Sequence, residues 1–176
     1  MKLKLGEKGF TLIELLVGIT IAAVIVGAAS MTVVTMMRLT PQSNNWAIAL
    51  HQVQNAGHWI SRDVQMSQGE ITLGDGNPIF LTLTLPKDQN PDNNKTIVYQ
   101  FDEEDMPDGL KRLIRNNQTD GEQIIIAEYI SGDPDDTNAS YESGMLTFII
   151  TATSGDVPPV TRDYEAMQRV PPAPSP

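Results

Sequence analysis

Lys8-Gly9-Phe10-Thr11-Leu12-Ile13-Glu14-Leu15-Leu16 joins a basic leader to a long apolar helix and sets one carboxylate near that helix's start. From Leu15 to Met37 no residue carries a charge. At 1.5 Å rise per residue this run covers about 35 Å, enough to cross a hydrocarbon layer of roughly 30 Å. An ionisable residue at the edge of such a span is expensive to bury and is a functional candidate by default. A cut after Gly9 would leave Phe10 with a cationic α-amino group one helical turn from Glu14. That pair can form within one chain, or between Glu14 and the amino terminus of a neighbouring copy. The second arrangement gives packed helices a register.

Two plainer readings compete. One is a secretory signal, with Lys2, Lys4 and Lys8 as its basic region and Gly27-Ala28-Ala29 as its exit. Such signals have an apolar core of about 7–15 residues, and this one is longer and carries Glu14 inside it. The other is a signal anchor in which Glu14 has no role.

The segment Gly9-Phe10-Thr11-Leu12-Ile13-Glu14-Leu15-Leu16 resembles the class III signal of the type IV pilin and type II secretion pseudopilin superfamily. The resemblance implies cleavage between Gly9 and Phe10 by a membrane prepilin peptidase, and N-methylation of Phe10. It also implies assembly through the helix, with Glu14 and Phe10 as the assembly residues. The implied partners are other pilin or pseudopilin subunits, the peptidase, an inner-membrane assembly platform, and membrane lipid before assembly. Three lysines before the span keep the amino terminus cytoplasmic and put the body outside. The expected location is the bacterial cytoplasmic membrane, single-pass, and an extracytoplasmic filament after assembly.

Composition bounds the body. The 176 residues carry 12 basic and 22 acidic side chains, a formal charge of −10, and no cysteine. Loss of three lysines and Glu7 with the leader takes this to −12. A strongly acidic body argues against direct nucleic-acid binding, which depends on Lys and Arg at phosphates. The lack of cysteine excludes disulfides, thiolate catalysis and Cys-based zinc sites.

Beyond the span, Thr40-Pro41 predicts a kink or restart, with Thr40 as cap and Pro41 at the first helical position. Trp46, Leu50, Val53, Gly57, Ile60 and Val64 then recur at spacings of four and three, one face of a helix from about Pro41 to Ser67. Gln52, Asn55, Arg62 and Gln65 take the opposite face. His51 and His58 stand two turns apart, unlike the i, i+4 pairs that hold metals on helices, and read as interfacial or solvated.

From Gly69 the pattern becomes strand-like. Glu70–Leu73, Ile79–Leu85, Thr96–Phe101, Leu110–Arg115, Gln123–Ile130 and Met145–Ala152 are short β-rich runs, and Val160–Tyr164 suits an edge strand. Gly132–Gly144 reads as loop. The expected fold is α+β, a long N-terminal helix packed on an antiparallel β-sheet head. Its segments are a leader (1–9), an apolar helix (10–38), an amphipathic helix (39–68), the head (69–165) and a proline-rich tail (166–176). Ile60-Ser61-Arg62-Asp63-Val64-Gln65, Thr96-Ile97-Val98-Tyr99-Gln100-Phe101 and Leu110-Lys111-Arg112-Leu113-Ile114-Arg115 are similar to the arginine–aspartate, valine–tyrosine and leucine–arginine steps of the larger minor pilins and pseudopilins.

Asp133, Asp135 and Asp136 are calcium candidates by their alternating oxygens, although their spacing is not that of an EF-hand. Both histidines lie on the helix, and no Gly-x-Ser-x-Gly, His-Glu-x-x-His or P-loop pattern occurs. The expected function is that of a non-catalytic filament subunit, a minor pilin or pseudopilin. A major pilin and an anchored binding module that never polymerises are the alternatives.

Overall fold

The computed structural model describes residues 10–69, 71–74, 79–87, 94–104 and 106–169. Helix α1 (Leu12–Met66) is followed by strands β1 (Thr72–Leu73), β2 (Ile79–Pro86), β3 (Asn94–Phe101), β4 (Leu110–Asn117), β5 (Glu122–Ser131), β6 (Asn138–Glu142), β7 (Met145–Ala152) and β8 (Val160–Met167). The fold is α+β, as expected. Two compact units divide the chain, residues 1–41 and residues 42–176.

In the first unit every described side chain is exposed, and it holds the stretch long and apolar enough to cross a membrane. The anticipated restart at Thr40-Pro41 is absent, because α1 continues through Pro41. Thr40 does not cap a new helix; its hydroxyl donates to the Met36 carbonyl at 2.8 Å. Proline lacks the amide that would have bonded the Met37 carbonyl.

In the second unit the helix packs on the sheet through Ala49, Val53, Ala56, Ile60 and Val64, all fully buried. Trp46, placed on this face by its hydrophobicity, is 47% exposed. The buried stripe is shifted toward the small residues because the sheet supplies the bulk. At Gly57 a Cβ would overlap the Tyr164 ring. That ring stacks on Phe148 at 5.1 Å, and its hydroxyl donates to the Val53 carbonyl at 3.1 Å. Gln52 and Asn55, assigned to the solvent face, are half-buried instead. Asn55 Nδ2 donates to the Ile126 carbonyl at 2.6 Å, and the Glu128 amide donates to Gln52 Oε1 at 3.0 Å. The helix amides thus occupy the edge of β5 as a neighbouring strand would.

All strand pairs are antiparallel, in the order β1-β2-β3-β4-β5-β7-β6, with β8 on β7. Along β2, Leu81, Leu83 and Leu85 are buried while Thr82 and Thr84 are half-buried, the alternation expected of a strand with one face on a core. β5 meets β7 only at Ile130 and Ala152. It is diverted there by Tyr129, whose φ of 61° is left-handed and whose carbonyl accepts from the Thr153 amide. Holding a bulky residue in that region costs on the order of 1–3 kcal/mol and needs the surroundings to impose it.

Strand β6 falls inside the stretch Gly132–Gly144 that reads as loop. It alternates exposed Asn138, Ser140 and Glu142 with half-buried Ala139 and Tyr141, and it pairs with β7 through a two-residue hairpin at the sheet's margin. Ser143 and Gly144, both at positive φ, make the turn. Of the Glu70–Leu73 run, Thr72–Leu73 is strand, and Glu70 lies outside the described residues. The fold also reaches past residue 165. β8 ends at Met167, and buried Gln168 donates to Ser67 Oγ and the Gly69 carbonyl and accepts from the Tyr141 hydroxyl. Residues 170–176, the bulk of the proline-rich tail, lie outside the described residues.

Gly57→Ala should destabilise the head by about 1–3 kcal/mol, the usual cost of overpacking. Adding Tyr164→Ala should recover part of that loss, because the two changes share one space. Urea unfolding of the full chain in detergent, followed by tryptophan fluorescence, measures both.

Candidate functional site

The start of α1 is built by its own sequence. Thr11 precedes the first helical residue and Glu14 stands three positions later. The Glu14 amide reaches Thr11 Oγ1 at 3.4 Å, while Glu14 Oε2 accepts from the Thr11 amide at 3.0 Å and the Thr11 hydroxyl at 2.9 Å. This is a reciprocal capping box, satisfying donors that a helix leaves orphaned. The carboxylate singled out in the sequence therefore has partners in its own first turn. Phe10 lies just before the helix and is 86% exposed; Gly9 lies outside the described residues.

Along the apolar stretch the hydroxyls are spent locally. Thr20 donates to the Val17 carbonyl at 2.8 Å, Ser30 to Val26 at 2.8 Å, Thr32 to Ala28 at 3.1 Å and Thr35 to Met31 at 2.9 Å. A hydroxyl bonded to its own helix enters a lipid or a packed-helix environment without a stranded polar group.

In the head, three segments quoted above for their family likeness meet at one point. Asp63 on α1 is fully buried. Its Oδ2 accepts from Arg115 Nε on β4 at 2.6 Å and from the Tyr99 hydroxyl on β3 at 2.8 Å. Arg62 Nη2 reaches Asp63 Oδ1 at 3.3 Å, and the Arg62 guanidinium lies over the Trp59 ring at 4.1 Å. Burial, reinforced by the Asp63 charge, pushes the Tyr99 phenol well above its ordinary value. Burial alone would lower the Arg115 guanidinium, but the hydrogen bond and charge of Asp63 outweigh it and the net shift is upward. The sequence holds the signal for this cluster in the Arg62-Asp63 step, an acid on an otherwise apolar face.

Asp133, Asp135 and Asp136 lie in the exposed turn between β5 and β6. Asp133 Oδ1 accepts from the Asp135 amide at 3.0 Å, and Asp136 Oδ2 from the Ser131 hydroxyl at 2.8 Å. Asp133 and Asp136 thus each give one carboxylate oxygen to the turn, and among the described residues no three His, Asp or Glu side chains converge on a metal position. His51 and His58 are exposed on the helix.

Residues 4–30 match the family model of the prokaryotic N-terminal methylation motif. This segment is a prepilin-type signal. The match is confined to it. No curated protein and no solved structure matches the chain. The motif and the apolar helix fit a membrane-anchored, single-pass protein of pilin or pseudopilin type, a precursor for prepilin peptidase whose general partners are that enzyme and other pilin subunits. They suggest a structural subunit rather than an enzyme.

Asp63→Ala should destabilise the head by about 3–5 kcal/mol, because it leaves the Arg115 guanidinium buried without its carboxylate, and Arg115→Ala should cost less, because Arg62 and Tyr99 still hold Asp63. The double variant should lose less than the sum in urea unfolding. Tyr99 gives a pH signature. Its phenol is raised in the folded head, so its contribution to stability is complete below the ordinary phenol value of about 10 and lost as pH rises beyond it. Tyr99→Phe should flatten that alkaline loss in pH-dependent unfolding; an unchanged slope would count against the cluster.

Proposed function

We propose that this chain is a non-catalytic subunit of a type IV pilus-like or type II secretion filament, a minor pilin or pseudopilin. The observation that carries the proposal is the prepilin-type signal at 4–30, which takes in the start of a helix whose apolar stretch is exposed among the described residues. Prepilin peptidase cuts between Gly9 and Phe10, and Phe10 is N-methylated. The apolar helix holds the subunit in the membrane with its head outside, then packs against other helices in the filament. Apolar burial provides most of the cohesion. Glu14 sets register by giving up part of its capping box for the cationic amino terminus of a neighbouring copy. The exposed position of Phe10 and the closeness of Glu14 to the helix start support that exchange.

A second reading draws on the same capping box. Because Glu14 is satisfied within its own first turn, a simple anchored binding module has no need of a neighbour.

The intact mass and amino-terminal sequence of the membrane-extracted protein test processing. A chain beginning at Phe10, one methylene heavier than its sequence, is expected, and Gly9→Leu should leave the leader attached. A chain beginning near Ser30 would indicate ordinary secretion. Retention of Lys2 through Gly9 in a host with prepilin peptidase would favour the anchored module.

Glu14→Gln separates the two readings, because glutamine keeps the capping box and removes the charge. Incorporation into sheared filaments should fall roughly tenfold with Glu14→Gln and with Glu14→Ala, while membrane insertion is retained. Normal incorporation of the glutamine variant would show that Glu14 is a helix cap and nothing more.

A further inference from the structure

The strand ladders give the head two ends with different chemistry. β3 joins them, running roughly 25 Å from Lys95 near its start to Asp102 just past its end. At the Asp102 end the antiparallel pairing brings the β3–β4 and β5–β6 connections together. They carry exposed Glu103, Glu104 and Asp108 on one, and Asp133, Asp135 and Asp136 on the other. Gln52 of α1 is bonded to β5 toward this end.

At the other end, where α1 stops at Met66, there is a groove of about 300 Å³. It is lined by apolar Met66, Leu85 and Pro86 together with Gln68, Lys95 and Arg169. Gln65, Met66 and Ser67, at the C-terminal end of α1, line the same groove, and the last turn of α1 has no basic residue of its own. That terminus carries about half a negative charge, less than Lys95 and Arg169 supply. The groove is therefore suited to an acidic, partly apolar loop.

We propose that this groove receives the acidic β5–β6 turn, Asp133-Pro134-Asp135-Asp136, of a second copy of the chain. The inference rests on the reading of the chain as an assembling subunit. The two surfaces lie at opposite ends of one body, so the contact is head-to-tail and does not close on itself. Such an interface generates an open series of copies. Copies staggered along the Gln42–Met66 direction of the helix present the acidic end of one to the groove of the next. Pro134 is exposed at the tip of the turn and offers an apolar surface to Leu85 and Pro86, while its flanking aspartates meet Lys95 and Arg169. Opposite charges at such a contact fix orientation and partner choice more than they add affinity.

The absence of native cysteine makes cross-linking clean. The full chain carrying Gln68→Cys with Asp135→Cys should give an oxidant-dependent ladder of dimers, trimers and longer species in native membranes. Neither single variant should give a ladder. Adding Lys95→Glu with Arg169→Glu should reduce the ladder roughly tenfold, and further Asp133→Lys with Asp136→Lys should restore it. High salt should weaken it as well. Absence of a ladder, a ladder indifferent to charge reversal, or an intrachain link between Gln68→Cys and Ser175→Cys would overturn the docking. Amino-terminal mass on the same samples separates the two levels. A mature chain without a ladder removes the docking and leaves the filament reading, whereas an uncut leader removes both.

Discussion

Asp63 is a carboxylate without access to water on the buried face of a helix. A charge in that position is tolerated only when it is paired and hydrogen-bonded. Arg115 and Tyr99 meet that demand from adjacent strands, and Arg62 reaches the other carboxylate oxygen from the helix itself. The cluster therefore sets the rotation of the helix over β3 and β4. With that rotation fixed, Val53, Ile60 and Val64 point into the sheet, and Gln52 and Asn55 reach the edge of β5. Gly57 then falls where Tyr164 needs room. An apolar pair of similar shape would pack at least as tightly, so the ionic cluster is better understood as specifying one helix–sheet arrangement than as adding net stability.

The beginning of the helix follows a different rule. There the polar groups are handled by neighbours in sequence. Thr11 and Glu14 cap the first turn, and the hydroxyls of Thr20, Ser30, Thr32 and Thr35 return to carbonyls three or four residues back. Each device is local and independent of any environment outside the helix. With that independence, the hydroxyls of this stretch need no particular surroundings, whether lipid or other helices, to be satisfied.

Much of this could be read from the sequence, and the exceptions share a physical cause. Period-2 alternation marked β2, and the period of three and four marked the helix. The methylation-type signal was legible because its meaning lies in covalent neighbours. Trp46 and Ala49 were exchanged because periodicity ranks side chains by hydrophobicity, whereas the interface selects for close approach. Strand β6 reads as loop because it is short and three of its five residues are polar and exposed, its strandedness coming from a partner, β7, and a Ser143-Gly144 turn. The capping box is written in the spacing of Thr11 and Glu14, but a carboxylate at the start of an apolar span draws the reading toward an intermolecular partner first. The Arg62-Asp63 step marks an acid on an apolar face, but its meeting with Tyr99 and Arg115 does not follow from it, since those residues lie 36 and 52 positions further on.

Charge distribution constrains how such a chain can assemble. Between Leu15 and Gln68 the only carboxylate is Asp63, buried and paired, so nearly all of the negative charge belongs to the sheet, its turns and the residues beyond. Helices brought together between Leu15 and Met37 meet no charge at all, and apolar contact can proceed. Heads brought together at random meet carboxylates on both sides, with repulsion that extends about 10 Å at moderate salt. Cohesion is thereby confined to the helix, and spacing and orientation fall to the heads. A body charged in this way tolerates close neighbours only where a cationic surface faces an acidic one. The limited supply of exposed cations in the head then restricts neighbouring copies to a small number of relative positions, which is the geometric condition for a regular filament.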